Sequence, residues 1–447
     1  MANIKLGNNT LTGVSTIRLQ NADVAGEYVS FGLAAPPAGT YVVSFNVLGS
    51  VVGQIAIPQG DPLSKNPYIP TISGYFFLGW SNIDGRISFP YTPTTDETWI
   101  ADIAEIWCFG VSGMGNQSPT LTRTYDNVGK SYSIDATTGT ISTDFDDIFN
   151  FETVELAGNT MIKIPKMYKR IDSVTDNQIT AFTISNRLNN DFTIYPCFLD
   201  EDGLTELDYI LVSKGKATGT SSRATCVSGS YALTGLTIAK MRTAARANGT
   251  GWQQYDWMVH QLIRDLFCVV FATTNAQSIF KGRVSDGGVK VGATWDITTP
   301  CGWSITTLQN RFFGLEDIFG NYWDWCDGIV CSNDSIYFTT VPSKFSESTS
   351  NKNYAFSKSV ESSALNGFIS KLRYCSDQPF FNYPVKTNGN TNTYYCDYKW
   401  DGTSGTVLML GTGSADNFRG GLWAMYGGHT GSSSGNDISG RLVYRPL

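Results

Sequence analysis

Histidine is scarce in this chain of 447 residues, which contains only His260 and His429. This scarcity argues against most His-based metal sites and against a Ser-His-Asp or Cys-His catalytic centre. His260 falls in a predicted helix, with no second histidine or cysteine one turn further along. We therefore expect it to pack in the protein and not to bind a metal.

Charged residues are also few, at 16% of the chain, and the net charge is -7. A nucleic-acid partner would need a basic patch to face the phosphates, so we expect none. No run of about 18 apolar residues occurs, so we expect no transmembrane helix and no insertion into a membrane through such a helix. Residues 1–10 lack a basic region followed by an apolar core, so we expect no secretory signal.

The nine cysteines are irregularly spaced, and their closest pair, Cys326 and Cys331, does not form a C-x-x-C motif. An odd, irregular set without a signal indicates reduced thiols in a protein that folds in a cytosol. Aromatic residues, in contrast, are abundant at 13%. They either fill β-rich cores or present rigid contact area to a partner, and both interpretations stay open.

Turn signals divide the chain into four predicted segments: 1–38, 39–108, 109–130 and 131–447. The first is an N-terminal arm for attachment or oligomerisation, with strand-like stretches at 4–6 and 16–19. The third is rich in Gly, Ser and Thr and is predicted to be a linker. The fourth is a large binding domain.

Residues 39–108 are predicted to form a small β module with Trp80 near its core. Residues 41–47 and 51–57 alternate in polarity around a Gly-Ser turn, which is typical of a hairpin. With Gly79-Trp80 and Thr95-Asp96, this order resembles the internalin-type B repeat, a β-grasp-like module of bacterial surface proteins. The resemblance implies a spacer or adhesion module.

One segment of the large domain, 252–272, has clear helical periodicity, and Thr250 is its candidate N-cap. Its apolar positions recur at steps of three and four residues: Tyr255, Val259, Leu262, Leu266, Val269 and Val270. Beyond residue 280 the chain has little helical period, which favours loops on a small scaffold.

The most specific motif is G-L-E-D-I-F-G-N-Y-W-D-W, which runs from Gly314 through Asn321 to Trp323 and Trp325. As a pattern it predicts a glycine turn and then a strand with both tryptophans on one face. The string resembles the G-L-x-D-x-x-G-N-x-W-E-W signature of the formylglycine-generating, sulfatase-modifying family. That family has a variant of the C-type lectin fold.

Two later segments strengthen this resemblance. Arg419-Gly420-Gly421-Leu422-Trp423 is similar to the family's R-G-G-S-[WF] segment, and Gly440-Arg441 to its closing G-F-R-[LV] strand. The implied class is α+β and β-rich, with a C-type-lectin-like domain after the β-grasp-like module and the strand arm. We expect Trp423 to anchor the core, and the strand of Trp323 and Trp325 to share a sheet with residues 442–444.

Departures from the family decide the expected function. Formylglycine-generating enzymes carry two cysteines just after R-G-G-S, whereas no cysteine follows Cys396 here, and related iron-dependent oxidases recruit several histidines. The chain therefore looks like the non-enzymatic branch, which includes phage tropism determinants, other targets of diversity-generating retroelements and fibre proteins of gut phages. This implies no catalytic residue, metal or cofactor.

The resemblance predicts a tail or head fibre or receptor-binding protein, made in the bacterial cytoplasm and displayed on the virion. Its expected partners are a host cell-surface glycan or protein and other virion proteins, and its expected assembly is a homotrimer. The predicted ligand surface is the loop after Gly421, where Met425, Tyr426, His429 and Asn436 stand among small residues.

Three alternatives remain. A bacterial surface adhesin of the same fold would need a secretion signal and an anchor. An oxidase would need the missing cysteines or histidines. A glycan hydrolase would need two carboxylates at a fixed separation, for which Asp324 with Asp327 or Asp416 with Asp437 are the candidates.

Overall fold

The computed structural model describes residues 4–6, 9–11, 38–72, 75–188, 191–332, 335–348, 354, 356–359, 366–400 and 406–446. The chain divides into two compact units, 1–107 and 108–447. Strands far outnumber helices in the described residues, which confirms the β-rich class. The described helices are α1 (Ile238–Arg246), α2 (Trp257–Phe271) and α3 (Ala276–Ile279), and none has the length and apolarity needed to cross a membrane.

The first unit contains these described strands: β1 (Ile4–Leu6), β2 (Asn9–Leu11), β3 (Thr40–Val47), β4 (Ser50–Pro58), β5 (Tyr75–Asn82), β6 (Gly85–Arg86) and β7 (Glu97–Glu105). β1 pairs with β2, and the stretch predicted at 16–19 lies outside the described residues. The other five form one sheet in the order β4-β3-β7-β5-β6, with β3 and β7 parallel.

The core of this unit is aromatic. Alternate residues of β3, including Val43 and Phe45, point inward with Trp80 and Trp99. Trp80 is 1% exposed, which confirms its predicted core position, and its indole N–H donates to the carbonyl oxygen of Tyr68 at 2.9 Å. The buried indole is therefore hydrogen-bonded, as burial of a polar group requires.

The second unit is built from many short strands. They are β8 (Cys108–Ser112), β9 (Thr122–Tyr125), β10 (Tyr132–Asp135), β11 (Thr140–Thr143), β12 (Glu152–Leu156), β13 (Asn159–Pro165), β14 (Tyr168–Thr175), β15 (Gln178–Ser185), β16 (Thr193–Ile194), β17 (Tyr209–Ser213), β18 (Thr218–Thr220), β19 (Arg223–Thr225), β20 (Trp252–Gln254), β21 (Cys301–Trp303), β22 (Asn310–Phe312), β23 (Leu315–Glu316), β24 (Trp323–Ser332), β25 (Ser335–Phe338), β26 (Phe356–Ser359), β27 (Gly367–Phe368), β28 (Lys371–Tyr374), β29 (Asn382–Lys386), β30 (Tyr398–Trp400), β31 (Thr406–Leu410), β32 (Met425–Thr430), β33 (Ile438–Ser439) and β34 (Leu442–Tyr444). Single 3-10 turns occur at Pro196–Phe198, Pro342–Lys344 and Asn417–Arg419.

The segment 109–130, predicted to be a linker, instead contributes β8 and β9 to a sheet of the second unit. That sheet runs β16-β14-β15-β8-β9. Gly110 explains the wrong prediction, since a Cβ there would lie 2.3 Å from Thr124 Oγ1 and 2.7 Å from Thr183 Oγ1. The glycine permits close strand packing and does not mark a flexible chain.

Two sheets of the second unit carry the strand of Trp323 and Trp325 and the closing strand of residues 442–444. The eight-stranded sheet runs β26-β25-β24-β31-β32-β30-β27, with β33 parallel to β24. The other runs β12-β13-β17-β34-β20. The prediction that the Trp323 strand shares a sheet with Leu442–Tyr444 is therefore wrong, because the chain crosses between the two sheets at Gly440 and Arg441.

The predicted helix at 252–272 is correct at its end and wrong at its start. Trp252–Gln254 is a strand that pairs with β34, and the helix begins at Trp257. Asp256 is the N-cap instead of Thr250, because its carboxylate accepts from the backbone N–H groups of Met258 (3.0 Å) and Val259 (3.1 Å). Sheet pairing thus overrides the helical periodicity there.

Candidate ligand-binding surface

The strand β32 carries the predicted ligand residues Met425, Tyr426 and His429, so this part of the chain is not a loop. It lies between β31 and β30 in the eight-stranded sheet. Its pairing with β31 shifts register: Met409 faces Tyr426 and Val407 faces His429. Between these two pairs, Gly427 and Gly428 of β32 lie opposite the single residue Leu408 of β31, which is the geometry of a β-bulge.

The bulge brings Tyr426 and His429 to one side of the strand, where their ring centroids are 5.0 Å apart. Tyr426 also packs against Trp323 (5.9 Å between centroids), and His429 packs against Trp325 (6.1 Å). Trp400 lies 5.5 Å from Trp323 and 6.2 Å from Tyr426. We call these five residues the aromatic patch.

The patch has a buried base and a partly exposed surface. Trp323 and Trp325 are buried in the core, whereas Trp400, Tyr426 and His429 are half-buried. The indole N–H of Trp325 donates to the carbonyl oxygen of Leu236 at 3.0 Å, which fixes the ring from below. Rings held in this way offer contact area with little further loss of side-chain entropy.

The other two predicted ligand residues do not join the patch. Met425 is 2% exposed, so its predicted role as a surface contact is wrong; strand alternation turns its side chain inward. Asn436 is exposed in the turn between β32 and β33. A backbone hydrogen bond from Gly235 to Gly435 (2.9 Å) holds this turn against the segment before α1.

A buried ion network supports the patch from the opposite face of β24. Asp324, between the two tryptophans, accepts from Lys216 Nζ at 2.6 Å and lies 3.5 Å from Arg441 Nε. Arg441 also donates to the backbone oxygens of Glu316 and Asp317. Arg441, just before β34, thereby ties the 314–321 turn to β24, the strand that contains Trp323 and Trp325.

The 314–321 turn is fixed by buried polar groups. Asn321, at φ +67°, accepts from Val289 N (2.8 Å) and donates to Asp317 Oδ2 (2.8 Å). Burial and, as the second cause, the charge of the nearby Glu316 raise the pKa of Asp317 to about 7. Gly314 has φ +88°, a conformation that favours glycine, and a Cβ there would also lie 2.8 Å from Ile162 Cδ1.

The Gly420-Gly421-Leu422-Trp423 segment packs on a second buried carboxylate. Asp397 accepts from Trp423 N at 2.7 Å, and a Cβ on Gly421 would lie 2.1 Å from Asp397 Oδ1. Trp423 is 1% exposed, which confirms its predicted core position, and Arg264 lies 4.7 Å from its ring centroid. This segment positions β32 and does not itself face a ligand.

Two carboxylates lie near the rim of the patch. Asp416 accepts from Gly413 N at 2.8 Å, and a Cβ on Gly413 would lie 3.0 Å from Trp323 Cδ1. Burial, with a further contribution from Asp437, raises the pKa of Asp416 to about 6. The backbone oxygen of Asp437 accepts from Trp323 N at 2.9 Å. Both acids therefore border the aromatic surface, where they could accept hydrogen bonds from hydroxyl groups.

The other carboxylate pair has a different environment. Asp324 and Asp327 are 2% and 1% exposed, and Asp327 accepts two hydrogen bonds from Arg242, at 2.6 and 2.9 Å. Each acid is thus paired with a cation inside the protein. Neither carboxylate is presented to a glycan at the surface.

His260 is a core residue. Its ring nitrogens lie 3.0 Å from Tyr255 Oη and 2.9 Å from the backbone oxygen of Leu422. Burial, followed by the charge of Arg264, lowers its pKa well below the ordinary value, so it stays neutral. Across the described ranges, no group of three or more His, Cys, Asp or Glu is arranged to hold a metal ion.

Sequence reasoning missed Trp400 as a member of the patch and considered Asp416 only as a hydrolase carboxylate. A signal for Trp400 was present, because Tyr398-Lys399-Trp400 alternates and places two aromatic rings on one strand face. The position of Asp416 depends on the 3-10 turn that follows it and on its hydrogen bond from Gly413, which lies near Trp323. No local pattern encodes that packing.

Comparison with known proteins gives no match: no model of a protein family and no curated protein matches this chain.

Proposed function

We propose that this chain is a bacteriophage virion protein, a tail or head fibre or receptor-binding protein, that presents a lectin-like surface to the bacterial host. The observation that carries the proposal is the aromatic patch. Trp400, Tyr426 and His429 are partly exposed, and Trp323 and Trp325 hold them from beneath. Such preorganised rings bind with a small entropic cost, as in other recognition surfaces.

Contacts that connect the three motif segments, 314–325, 419–423 and 440–441, support the C-type-lectin-like assignment. Arg441 binds the backbone of the 314–321 turn. Gly411 N donates to the backbone oxygen of Ala424 at 3.2 Å, and Gly320 N donates to that of Gly411 at 2.7 Å. The contacts of Arg441 and Gly320 join segments that lie about a hundred residues apart, and Gly411 connects Gly320 to the residue after Trp423, as expected of motifs that specify one fold.

The first unit supports a spacer role. Its strand order, β4-β3-β7-β5 with the two central strands parallel, is the order that a β-grasp-like module requires. β4 lies at the edge of the sheet, and the side chains of its first two residues are exposed. An exposed sheet edge favours pairing with a strand of another chain, or coverage by another chain. We infer a structural module that carries the binding domain.

The proposed assembly is a homotrimer on the particle, in contact with other virion proteins. This inference rests on the resemblance to fibre proteins and on the short strands β1 and β2, which cannot form a stable sheet alone. Light scattering of the full chain tests it. A trimer mass at micromolar concentration is expected, and a monomer would remove the inference.

A glycan array tests the binding function. Purified protein is applied to bacterial surface glycans, with Trp400→Ala as the test variant and Tyr231→Ala as the control, since Tyr231 is 61% exposed and outside the patch. Wild type and Tyr231→Ala should bind the same glycans, and Trp400→Ala should lose them. Equal binding by all three proteins would contradict the proposal, provided that thermal unfolding shows an intact fold.

A glycan hydrolase is the second candidate, favoured by the two rim acids. Asp416 has a pKa raised to about 6 beside Asp437, and a carboxyl group whose pKa is raised toward neutral pH is what a general acid needs. Release of reducing ends from bound glycans measures this activity. If reducing ends are released and Asp416→Asn abolishes this release, the result would support hydrolysis. Binding without release would support recognition without hydrolysis.

A further inference from the structure

A separate groove of about 380 Å³ opens in the second unit, where the segment from β9 to β10 meets the end of α2. Arg123, Lys130 and Tyr132 line it, together with the hydroxyl-bearing residues Thr120, Ser131 and Thr273. None of these residues belongs to the aromatic patch. The volume lies within the range of small-molecule sites and exceeds what a bare anion fills.

The groove concentrates positive charge in a chain whose net charge is -7. The guanidinium of Arg123 and the ammonium of Lys130 both line the groove, and each lies 5.9 Å from the centroid of the Phe145 ring. Within the part of the chain that the structure describes, neither forms an ion pair within 4.0 Å.

One carboxylate lies near the two cations. Asp144 feels the charges of both Lys130 and Arg123, but its oxygen accepts from Ser131, at 2.7 Å from N and 2.9 Å from Oγ. Among the described residues, Asp144 is the acid whose charge acts on Arg123, and its side chain is exposed. The groove therefore keeps an excess of positive charge that an anionic ligand would neutralise.

Arg123 is already held in place for such a ligand. It donates to Asn127 Oδ1 (2.8 Å) and to the backbone oxygens of Val269 and Val270 (2.6 Å each) at the end of α2. These bonds use three of its five N–H groups and leave two for a partner. Since the side chain is ordered before binding, the entropic cost of a bidentate contact is small.

The remaining lining indicates the rest of the ligand. Tyr132 is 37% exposed and packs edge-on against Phe271 at 5.2 Å between centroids, which makes a firm aromatic wall. Hydroxyl-bearing side chains of Thr120, Ser131 and Thr273 complete the lining. Aromatic and hydroxyl groups beside two cations suit a hydroxyl-rich ring that carries an acidic group.

We propose that this groove binds the anionic group of an acidic saccharide, either a uronate or a sugar phosphate, with Arg123 and Lys130 as the charged contacts. The site is independent of the aromatic patch and does not rest on the proposed function.

Calorimetric titration of the full chain tests the proposal with glucuronic acid, glucose 6-phosphate, glucose and inorganic phosphate as probes. At least one acidic sugar should bind, and the affinities for glucose and for phosphate should each be at least about tenfold lower. Added salt should lower the affinity for the acidic sugar. The two acidic probes distinguish carboxylate from phosphate recognition. Binding of phosphate as tight as that of either sugar would overturn the saccharide assignment.

Variants locate the binding. Lys130→Gln should lower the affinity for the acidic sugar at least about tenfold. Lys130→Arg should keep most of the affinity because the charge is kept. Lys240→Gln removes an exposed lysine of α1 and should change nothing. Unchanged affinity in folded Lys130→Gln would overturn the site. Tyr426→Ala should leave this affinity unaltered, so failure of the groove is distinguishable from failure of the patch.

Discussion

Tyr426 and His429 are three residues apart on β32, yet their ring centroids are only 5.0 Å apart. In a regular strand, residues at i and i+3 point to opposite faces. The register shift against β31 inserts one extra residue on β32 and returns His429 to the face of Tyr426. The bulge is therefore the feature that assembles the aromatic patch.

Gly428, within this bulge, controls the position of the Tyr426 ring. A Cβ at this position would lie 2.7 to 3.0 Å from atoms of that ring, so Gly428→Ala should push the ring aside without crowding the backbone. We expect the affinity for the array-selected glycan to fall about tenfold, or roughly 1.4 kcal/mol. Isothermal titration measures this.

The control for that change is Gly53→Ala in β4, whose Cβ would make only an ordinary contact at 3.7 Å with Phe45. It should leave the affinity unaltered. If Gly428→Ala binds as tightly as Gly53→Ala, the Tyr426 ring is not part of the recognition surface.

Arg441 should be among the residues most important for stability. It is buried, pairs with Asp324 and donates to backbone oxygens of the 314–321 turn. Arg441→Met removes the donor to the backbone oxygens of Glu316 and Asp317 and one of the two cations beside Asp324, and it should cost about 3–5 kcal/mol in the free energy of unfolding. Urea denaturation measures the cost.

Arg441→Lys is the matched variant, because it keeps the charge and loses the forked geometry. We expect a smaller loss than in Arg441→Met. A loss below about 1 kcal/mol in Arg441→Met would mean that the motif contacts do not stabilise this unit.

Asp416 should make stability depend on pH. Its pKa is raised from 3.8 to about 6 by burial, so the native state keeps a proton that the unfolded chain releases between about pH 4 and pH 6. Its contribution to stability is therefore greatest below about pH 4, falls as pH rises through this window, and is constant above it. Asp416→Asn removes the effect, and its amide oxygen can still accept from Gly413 N.

Urea denaturation at pH 4 and pH 7.5 checks this expectation. The free energy of unfolding of the variant should equal that of wild type at pH 4 and should be higher at pH 7.5, by on the order of 1–3 kcal/mol. A difference that is the same at both pH values would show that the charge of Asp416 is not the cause.

Trp80→Ala should destabilise the first unit. Trp80 packs against Phe45 (5.0 Å between centroids) and Phe77 (4.9 Å), and its removal leaves a large cavity. The expected cost is roughly 3–5 kcal/mol. Calorimetry of the full chain should show the change, and an unaltered thermogram would contradict the core position of Trp80.

The sequence predicted those features that depend on local pattern. The strand pattern around Gly79-Trp80 predicts Trp80 in a core, and Trp80 is buried there. The core position of Trp423 is implied by the family resemblance, and this residue is also buried. The end of α2 was also predicted correctly. Its start was not, because Trp252–Gln254 pairs with β34, a partner far along the chain.

The errors at the site have the same origin. Met425 looked like a surface residue among small neighbours, but strand pairing turns it inward. The bulge that joins Tyr426 to His429 arises from pairing with β31, and Trp400 reaches the patch through parallel pairing of β30 with β32. Long-range strand register is not encoded in any short window of sequence.

The most direct test of the recognition surface is the affinity of the double variant Tyr426→Ala, His429→Ala for a glycan that wild type binds on the array. Isothermal titration at neutral pH measures it, with thermal unfolding to confirm the fold and Tyr231→Ala as the control. A loss of at least about tenfold in the double variant alone is predicted, since central aromatic contacts dominate such surfaces. An unchanged dissociation constant in the folded double variant would contradict the account.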